Sequence, residues 1–273
     1  MVPFPKRSWG DQWQRGYSKS MKPGVRIFKD VEKLSRAAAY LFVERAAQSV
    51  AERDQFLVAL NGGSTPTRLF EMLATTFQPR VDWSKTHVFW GDERCVPPED
   101  PGSSYGQARD VLLSRVPIPD ANIHRIQGEL SPAEAAEQYA LTLKQFASAP
   151  FAWPRFDLVY LGMGEDGHTA SLFPGSALYV SEPTMPVTAN YQDRPADRVT
   201  LTPAVFNHAR MVVFMAAGEK KAHTLAEVLS GRYNPELYPA QRIEPKDGHL
   251  VWLVDEAAAS RLPRQLSRAF CEG

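Results

Sequence analysis

The feature that most constrains this chain is a series of short apolar segments, each ending at glycine or a charged residue and separated from the next by a helical stretch. The first, Phe56–Leu60, is apolar throughout, as is typical of a strand buried on both faces. Similar segments follow at residues 87–90, 156–161, 211–215 and 250–254. Strands that alternate with helices predict βαβ units, so we expect an α/β fold with a mostly parallel central sheet flanked by helices.

Two helix starts are marked by local capping signals. Asp30 could cap a long helix running to about residue 52. The Ser-Pro-Ala-Glu segment at 131–134 is a capping box with proline at the first helical position, and it predicts a helix to about residue 146. No internal repeat or low-complexity linker follows residue 24. We therefore expect a loosely ordered N-terminal extension over residues 1–24 and a single α/β domain over residues 25–273.

Composition argues against nucleic-acid and membrane partners for this chain and leaves a small-molecule partner. Lysine plus arginine equals aspartate plus glutamate, 31 against 31, and neither the basic excess nor the basic stripe of a nucleic-acid-binding protein is present. A few local cations would still suffice for a small anionic substrate. No apolar run approaches the roughly 18–20 residues of a membrane span, so no membrane partner is expected. Cys95 and Cys271 are too few and too far apart for a disulfide framework or a zinc cluster, which favours a cytoplasmic location.

The first strand is followed by a candidate anion site, Asn61-Gly62-Gly63-Ser64-Thr65-Pro66. Glycines let the backbone approach a phosphate, and the free amides of a helix start point at it. The hydroxyl groups add donors, and Pro66 starts the helix at no cost in hydrogen bonds. A plain strand-to-helix turn capped by serine or threonine explains the same residues equally well. The segment is not a P-loop, because Gly-Lys-Ser/Thr is absent.

A second glycine-rich segment, residues 162–175, contains a formal match to the dinucleotide fingerprint at Gly162, Gly164 and Gly167. Only six residues separate Gly167 from Pro174, so a long phosphate-binding helix has no room. The sequence therefore argues against a nicotinamide cofactor.

The same segment carries a candidate general base, His168, two residues after Asp166. A histidine that titrates near neutrality can accept a proton from water. A lone histidine is more often structural, and that interpretation is applied to the other five, His87, His124, His208, His223 and His249. Four glycines around His168, at the expected carboxyl edge of the sheet, set it apart.

Charged residues follow two of the predicted strands and begin a third segment. Asp92, Glu93 and Arg94 come after the second strand, Arg198 begins an alternating segment, and Lys221 follows the fourth. An arginine fork and a lysine point charge could together clamp a phosphate. Taken alone, each group is better explained as surface charge, and only the placement at the same edge of the sheet raises the functional interpretation.

One further motif is set aside. Residues 102–106, Gly-Ser-Ser-Tyr-Gly, fit the pattern of a serine nucleophile elbow, which needs a strand before the serine. The preceding residues 97–101 contain three prolines, which a central strand does not tolerate. The sequence thus argues against a serine hydrolase.

With these segments in order, the chain resembles the glucosamine-6-phosphate isomerase/6-phosphogluconolactonase family over roughly residues 25–262, and specifically its lactonase branch. The most specific piece is residues 162–174, Gly-Met-Gly-Glu-Asp-Gly-His-Thr-Ala-Ser-Leu-Phe-Pro. Residues 92–97, 198–202 and 252–258 support it in the expected order. The resemblance implies a modified Rossmann-like domain with neither nucleotide cofactor nor required metal. It further implies hydrolysis of 6-phospho-D-glucono-1,5-lactone to 6-phospho-D-gluconate in the oxidative pentose phosphate pathway.

The resemblance also implies roles for individual residues. His168 looks like the general base, with Asp166 as its orienting group, and Arg94 looks like a substrate or oxyanion contact. The expected substrate-binding and phosphate-binding residues are Gly62, Gly63, Ser64, Thr65, Asp92, Arg198 and Lys221.

Two other functions stay open at this point. The amino-sugar isomerase-deaminases of the family usually carry Asp-Glu-Tyr where Arg94 stands, and Phe-Asn with a nearby glutamate where residues 171–173 stand. Both differences favour the lactonase. A non-catalytic sugar-phosphate-binding protein would need only the phosphate cradle, so Asp166, His168 and Arg94 argue against it.

The sequence leaves open a monomer or a small homo-oligomer, and a tail or a transit segment at residues 1–24. Residues 103–105, Ser-Ser-Tyr, depart mildly from the Ser-Asn-Tyr of many relatives.

Overall fold

The computed structural model describes residues 24–177, 179–191, 195–263 and 266. Residues 1–23 of the predicted N-terminal extension lie outside the described residues, and the first strand already begins at Gly24. The strands are β1 Gly24–Phe28, β2 Phe56–Leu60, β3 Thr86–Trp90, β4 Asp92–Arg94, β5 Ile123–His124, β6 Leu158–Gly162, β7 Thr184–Thr188, β8 Asp197–Leu201, β9 Met211–Ala216 and β10 His249–Asp255. The α-helices are α1 Val31–Arg53, α2 Ser64–Ala74, α3 Ser104–Val111, α4 Pro132–Lys144, α5 Pro203–Phe206, α6 Ala222–Ser230 and α7 Glu256–Ala259.

Seven strands form one parallel sheet in the order β1-β10-β9-β6-β2-β3-β5. The apolar segments read from the sequence are β2, β3, β6, β9 and β10, which occupy the middle of this sheet. Every residue of β2 and β9 is buried, as expected of strands covered on both faces by helices. The predicted mostly parallel sheet is confirmed.

Both predicted helix starts are confirmed. The Asp30 side chain accepts a 2.9 Å hydrogen bond from the Lys33 amide at the start of α1. Ser131 and Glu134 form the reciprocal capping box of α4. The helix that was predicted to start at Pro66 is α2, and in the structure it begins two residues earlier, at Ser64.

A second sheet, antiparallel and three-stranded, has the order β4-β8-β7. Of its three strands, only β8 was indicated by the sequence, as the alternating segment that begins at Arg198. Gly91 alone separates β3 from β4, and its backbone joins the two sheets. Its amide donates to Leu60 O at 2.8 Å, and its carbonyl accepts from the Leu201 amide at 2.8 Å. The small sheet is thereby held at the carboxyl edge of the large one.

None of the described helices is both long and apolar enough to cross a membrane.

Two histidines meet at one side of the large sheet. His87 Nδ1 of β3 lies 3.1 Å from His124 Nε2 of β5, and Phe89 and Phe146 pack against the His124 ring. Burial, followed by the neighbouring His87, lowers the pKa of His124 to about 4, and burial also lowers the pKa of His87. The structural interpretation of these two histidines fits their placement.

This pair predicts a pH-dependent stability. A histidine whose pKa is lowered by folding binds more protons in the unfolded chain, so the free energy of unfolding falls as pH drops from about 6.5 towards the folded pKa. Urea unfolding followed by circular dichroism should show this loss in the wild type. In His124→Gln, which stays neutral, the loss over the same window should be smaller. Parallel pH profiles for the two proteins would contradict the prediction.

Candidate active site

The loop after β6 fixes His168 beside Asp166. The His168 amide and its ring Nδ1 both approach Asp166 Oδ1, at 3.1 Å and 2.6 Å. Gly164 closes the turn by donating from its amide to His168 O at 2.9 Å. A Cβ atom at Gly164 would lie 2.2 Å from His168 Nδ1, so only glycine leaves room for the ring. The fingerprint glycines therefore serve this turn, and no helix follows them before residue 177.

The electrostatics of the pair set which ring nitrogen is available. Burial raises the pKa of Asp166, but the hydrogen bond and charge of His168 outweigh it, and the net pKa is lowered. The carboxylate is thus ionised at neutral pH and accepts a hydrogen bond from the Nδ1–H group of the imidazole. In the neutral ring, this hydrogen bond leaves the lone pair on Nε2, which is the arrangement that a general base requires.

Aromatic rings hold the imidazole on two further sides. The Phe173 ring lies 4.5 Å from the His168 ring between centroids, and the Tyr191 ring meets it edge-on at 4.6 Å. Only 14% of the His168 side chain is exposed. These two contacts were not anticipated, because both rings come from loops without a regular pattern.

The glycine-rich turn at the start of α2 is braced by Gln107 of α3. The Gly63 amide donates to Gln107 Oε1 at 3.1 Å, and Gln107 Nε2 donates to Gly63 O at 2.9 Å. The Gly63 amide is therefore engaged within the protein. The amides of Ser64 and Thr65, at the first two helical positions, have no acceptor within the helix and remain suited to an anion.

The small sheet brings two arginines together. Arg94 of β4 and Arg198 of β8 are opposite each other in the antiparallel ladder, so their side chains share one face. The Arg94 guanidinium donates to Gly102 O, and the Arg198 guanidinium lies 5.4 Å from the centroid of the Phe173 ring. Arg198 is 3% exposed.

Asp92, also on β4, is buried and accepts a 2.7 Å hydrogen bond from Ser171 Oγ. This bond ties the small sheet to the loop that carries His168. The sequence offered Asp92 as a contact without indicating its partner.

These elements surround one cleft with a volume of about 190 Å³. All the predicted site residues except Asp166 line it, namely Gly62, Gly63, Ser64, Thr65, Asp92, Arg94, His168, Arg198 and Lys221. Asp166 lies behind His168. Three cationic side chains face two carboxylates, those of Asp92 and Glu165, so the walls favour an anion. Asn61 and Tyr191 also line the cleft and were not among the predicted contacts.

Glu93 is a buried structural residue beside the cleft whose contacts the sequence did not reveal. It is 2% exposed, and its carboxylate accepts from the amides of Arg94, Ser104 and Tyr105 and from Ser103 Oγ. The sequence suggested a solvated corner, whereas the carboxylate joins β4 to the start of α3. Burial raises the pKa of Glu93, and the three backbone hydrogen bonds oppose that rise.

Among the described residues, no three His, Cys, Asp or Glu side chains are grouped so that they could hold a metal ion.

Comparisons with known proteins place the chain. Residues 29–252 match the family model described as glucosamine-6-phosphate isomerases/6-phosphogluconolactonase. The chain belongs to this family. It is 39% identical over 244 residues to the 6-phosphogluconolactonase of Synechocystis, a match that covers 89% of this chain and 99% of the relative.

Two solved structures frame the fold. The 6-phosphogluconolactonase of Trypanosoma brucei superposes with a TM-score of 0.76 at 29% identity. The superposition covers 89% of this chain and 100% of the Trypanosoma brucei chain. A monomeric glucosamine-6-phosphate deaminase superposes with a TM-score of 0.75 at 19% identity, covering 87% and 99%. The second likeness shows a shared fold alone, so the fold does not separate the two reactions.

Glu93 generates a stability prediction. In Glu93→Gln, an amide NH₂ faces donors that need an acceptor, and we expect a loss of about 2 kcal/mol in the free energy of unfolding. Glu99→Gln is the matched control, because Glu99 is 75% exposed and its pair with Arg109 lies on the surface. That variant should stay within about 0.5 kcal/mol of the wild type. Equal denaturation midpoints for the two variants would refute the role given to Glu93.

Proposed function

We propose that this chain hydrolyses 6-phospho-D-glucono-1,5-lactone to 6-phospho-D-gluconate, the lactonase step of the oxidative pentose phosphate pathway. The observation that carries the proposal is the Asp166–His168 pair, with Nδ1 and Oδ1 2.6 Å apart, in a cleft that three cationic side chains line. A base and an anion site together suit a phosphorylated ester. The high identity to lactonases along most of the chain supports the same reaction.

The base acts on water. His168 Nε2 takes a proton from a water molecule as the water oxygen forms a bond to lactone C1. Asp166 keeps Nδ1 protonated and stabilises the imidazolium that forms. As pH falls through the folded pKa of Asp166, this support is lost. Phe173 and Tyr191 limit the motion of the ring, so the base is aligned before substrate arrives.

The electrons of the C1 carbonyl shift to its oxygen as the water attacks. Arg94 faces the cleft and supplies positive charge to the developing oxyanion. When the tetrahedral intermediate collapses, the bond between C1 and the ring oxygen breaks. The imidazolium returns its proton to that ring oxygen, and the products are an open-chain acid and neutral His168. A lactone is an activated ester, so no covalent enzyme intermediate is needed.

The phosphate supplies binding energy far from C1. Arg198, Lys221 and the first amides of α2 provide an arginine fork, a point charge and a helix N-terminus. Holding the phosphate fixes C1 relative to His168 Nε2, and this positioning lowers the barrier further.

The assay is the ring opening of the lactone generated in situ from glucose 6-phosphate, with buffer as the baseline. Opening far above the buffer rate supports the proposal. Opening at the buffer rate would overturn it, and release of ammonia from glucosamine 6-phosphate would then identify the deaminase reaction. Binding of 6-phosphogluconate without either turnover would identify a sugar-phosphate-binding protein.

We further propose a cytoplasmic enzyme that acts as a monomer or small homo-oligomer, without cofactor, through a single domain over residues 25–273.

His168→Ala should lower kcat by about 10² to 10⁴ fold, because a positioned base contributes that much. KM should change little, since the phosphate contacts are intact. His223→Ala is the control, because His223 is exposed and does not line the cleft. Steady-state kinetics on both variants measure the effect. A His168→Ala enzyme with wild-type kcat would sink the assignment of the base.

Lys221→Ala and Arg198→Ala should raise KM, about tenfold or more, because each removes a charge-assisted phosphate contact. Lys220→Ala is the matched control, since Lys220 is exposed and lies outside the cleft. With unphosphorylated glucono-1,5-lactone as substrate, the Lys221→Ala deficit should disappear. A deficit of equal size on both lactones would show that Lys221 does not contact the phosphate.

A further inference from the structure

A buried carboxylate at the carboxyl edge of the large sheet joins two elements that are far apart in the chain. Asp255, the last residue of β10, is 8% exposed and does not line the cleft. Its Oδ1 accepts from the Ala258 amide at 2.7 Å, a contact that caps α7. The same carboxylate accepts from the Gly218 amide, at 3.0 Å to Oδ1 and 3.1 Å to Oδ2. A helix cap needs only the first of these contacts, so the contact with Gly218 calls for an explanation of its own.

Gly218 carries this contact towards the cleft. Its amide donates to Asp255, and its carbonyl accepts from the Lys221 amide at 3.1 Å. Its φ of 95° lies in the left-handed region, and a Cβ atom at this position would meet nothing within 4 Å. Glycine is therefore favoured here by the backbone conformation and not by a lack of space. Two successive hydrogen bonds thus connect the Asp255 carboxylate to the backbone of Lys221, which lines the cleft.

The segment between Gly218 and α6 is a single short turn. Residues 219–221 form one 3₁₀ turn without a buried residue, and Lys221 directly precedes α6. A turn that buries no side chain has little packing to fix its backbone, so its hydrogen bonds largely decide its conformation. A hydrogen bond to a charged acceptor is stronger than one between neutral groups. Asp255 is therefore placed to fix the backbone from which the Lys221 side chain projects.

We infer that Asp255 is a positioning residue for the phosphate contact of Lys221. Its carboxylate holds the turn at Gly218, so that the turn already has its bound conformation when substrate arrives. The inference rests on the proposed function, which assigns Lys221 to the phosphate, and it names the residue that supports this contact. Because the conformational entropy of the turn is lost on folding, it is not lost again on binding, and the phosphate is bound more tightly.

The first variant is Asp255→Ser. Serine caps a helix about as well as aspartate, so α7 keeps its cap, but the shorter side chain with one oxygen no longer holds the Gly218 amide. On the phosphorylated lactone, KM should rise about fivefold while kcat stays within about twofold of the wild type. On unphosphorylated glucono-1,5-lactone, variant and wild type should agree within about twofold, because Lys221 has no phosphate to contact. Steady-state kinetics on the two lactones measure both effects.

A double-mutant cycle with Lys221→Ala separates positioning from a general structural effect. If Asp255 acts through Lys221, adding Asp255→Ser to Lys221→Ala should change KM by less than about twofold. Removal of a negative charge would by itself favour an anion and lower KM, and it would do so with or without Lys221. A rise in KM that requires Lys221 therefore identifies positioning.

Asp30→Ser is the matched control. Asp30 also caps a helix, by accepting from the Lys33 amide at the start of α1, and it does not line the cleft. Its KM and kcat should stay within about twofold of the wild type on both lactones. Thermal unfolding shows whether each variant folds. If Asp255→Ser does not fold, Gly218→Ala replaces it, because alanine disfavours the positive φ without a steric clash, and the same kinetic pattern is expected.

The outcomes separate the two hypotheses. A rise in KM that is confined to the phosphorylated lactone and absent in the Lys221→Ala background supports the role of Asp255. An unchanged KM, an equal rise on both lactones or a rise that persists without Lys221 overturns that role, while wild-type turnover leaves the proposed function standing.

Wild-type opening of the lactone at the buffer rate overturns the proposed function instead. Calorimetric binding of 6-phosphogluconate to the same variants then tests Asp255, with Kd in place of KM. A Kd that Asp255→Ser leaves unchanged, or no binding by the wild type, overturns the inference as well.

Discussion

The two hydrogen bonds at Gly91 are the constraint on which the active site depends. They connect the end of β2 to Gly91 and Gly91 to β8, so the small sheet cannot shift relative to the large one. All strands of the large sheet are parallel, and their carboxyl ends meet at the edge where this junction lies. The large sheet supplies the loops with Asn61 and His168, and the small sheet supplies Arg94 and Arg198. Fixing the junction therefore sets the separation between His168 and the cationic side chains of the cleft.

Much of the fold could be predicted because its signals are local. A strand buried on both faces must be apolar throughout, and a helix start must satisfy its first amides, so β2, β9, α1 and α4 could be recognised in the sequence. The small sheet depends on pairing between segments about a hundred residues apart, for which no local pattern exists. Its edge strand β7 also contains Pro186. Proline is tolerated in an edge strand because one edge of the strand has no neighbouring strand to which a backbone amide must donate. Because proline within a segment argues against a strand, β7 could not be predicted from the sequence pattern.

The site was predictable as a set of residues more than as a set of contacts. Glycines and charges after parallel strands had to converge, and in the structure they do line one cleft. The bracing of Gly63 by Gln107 and the burial of Glu93 could not be foreseen, because both partners belong to α3, whose position depends on the completed fold. The Asp166–His168 spacing was suggestive, yet only the turn closed by Gly164 gives the 2.6 Å contact. These contacts depend on residues that are brought together only when the chain is fully folded, so the local sequence does not predict them.

The opposed arginines of the small sheet have a consequence for the whole protein. Two guanidinium groups on one face of adjacent strands concentrate positive charge on the side of the small sheet that lines the cleft. Under the proposed function, Arg198 contacts the substrate phosphate and Arg94 contacts the developing oxyanion, so the bound substrate would interact favourably with both. Because such a ligand would bind the folded chain and not the unfolded one, its binding would stabilise the small sheet by thermodynamic linkage.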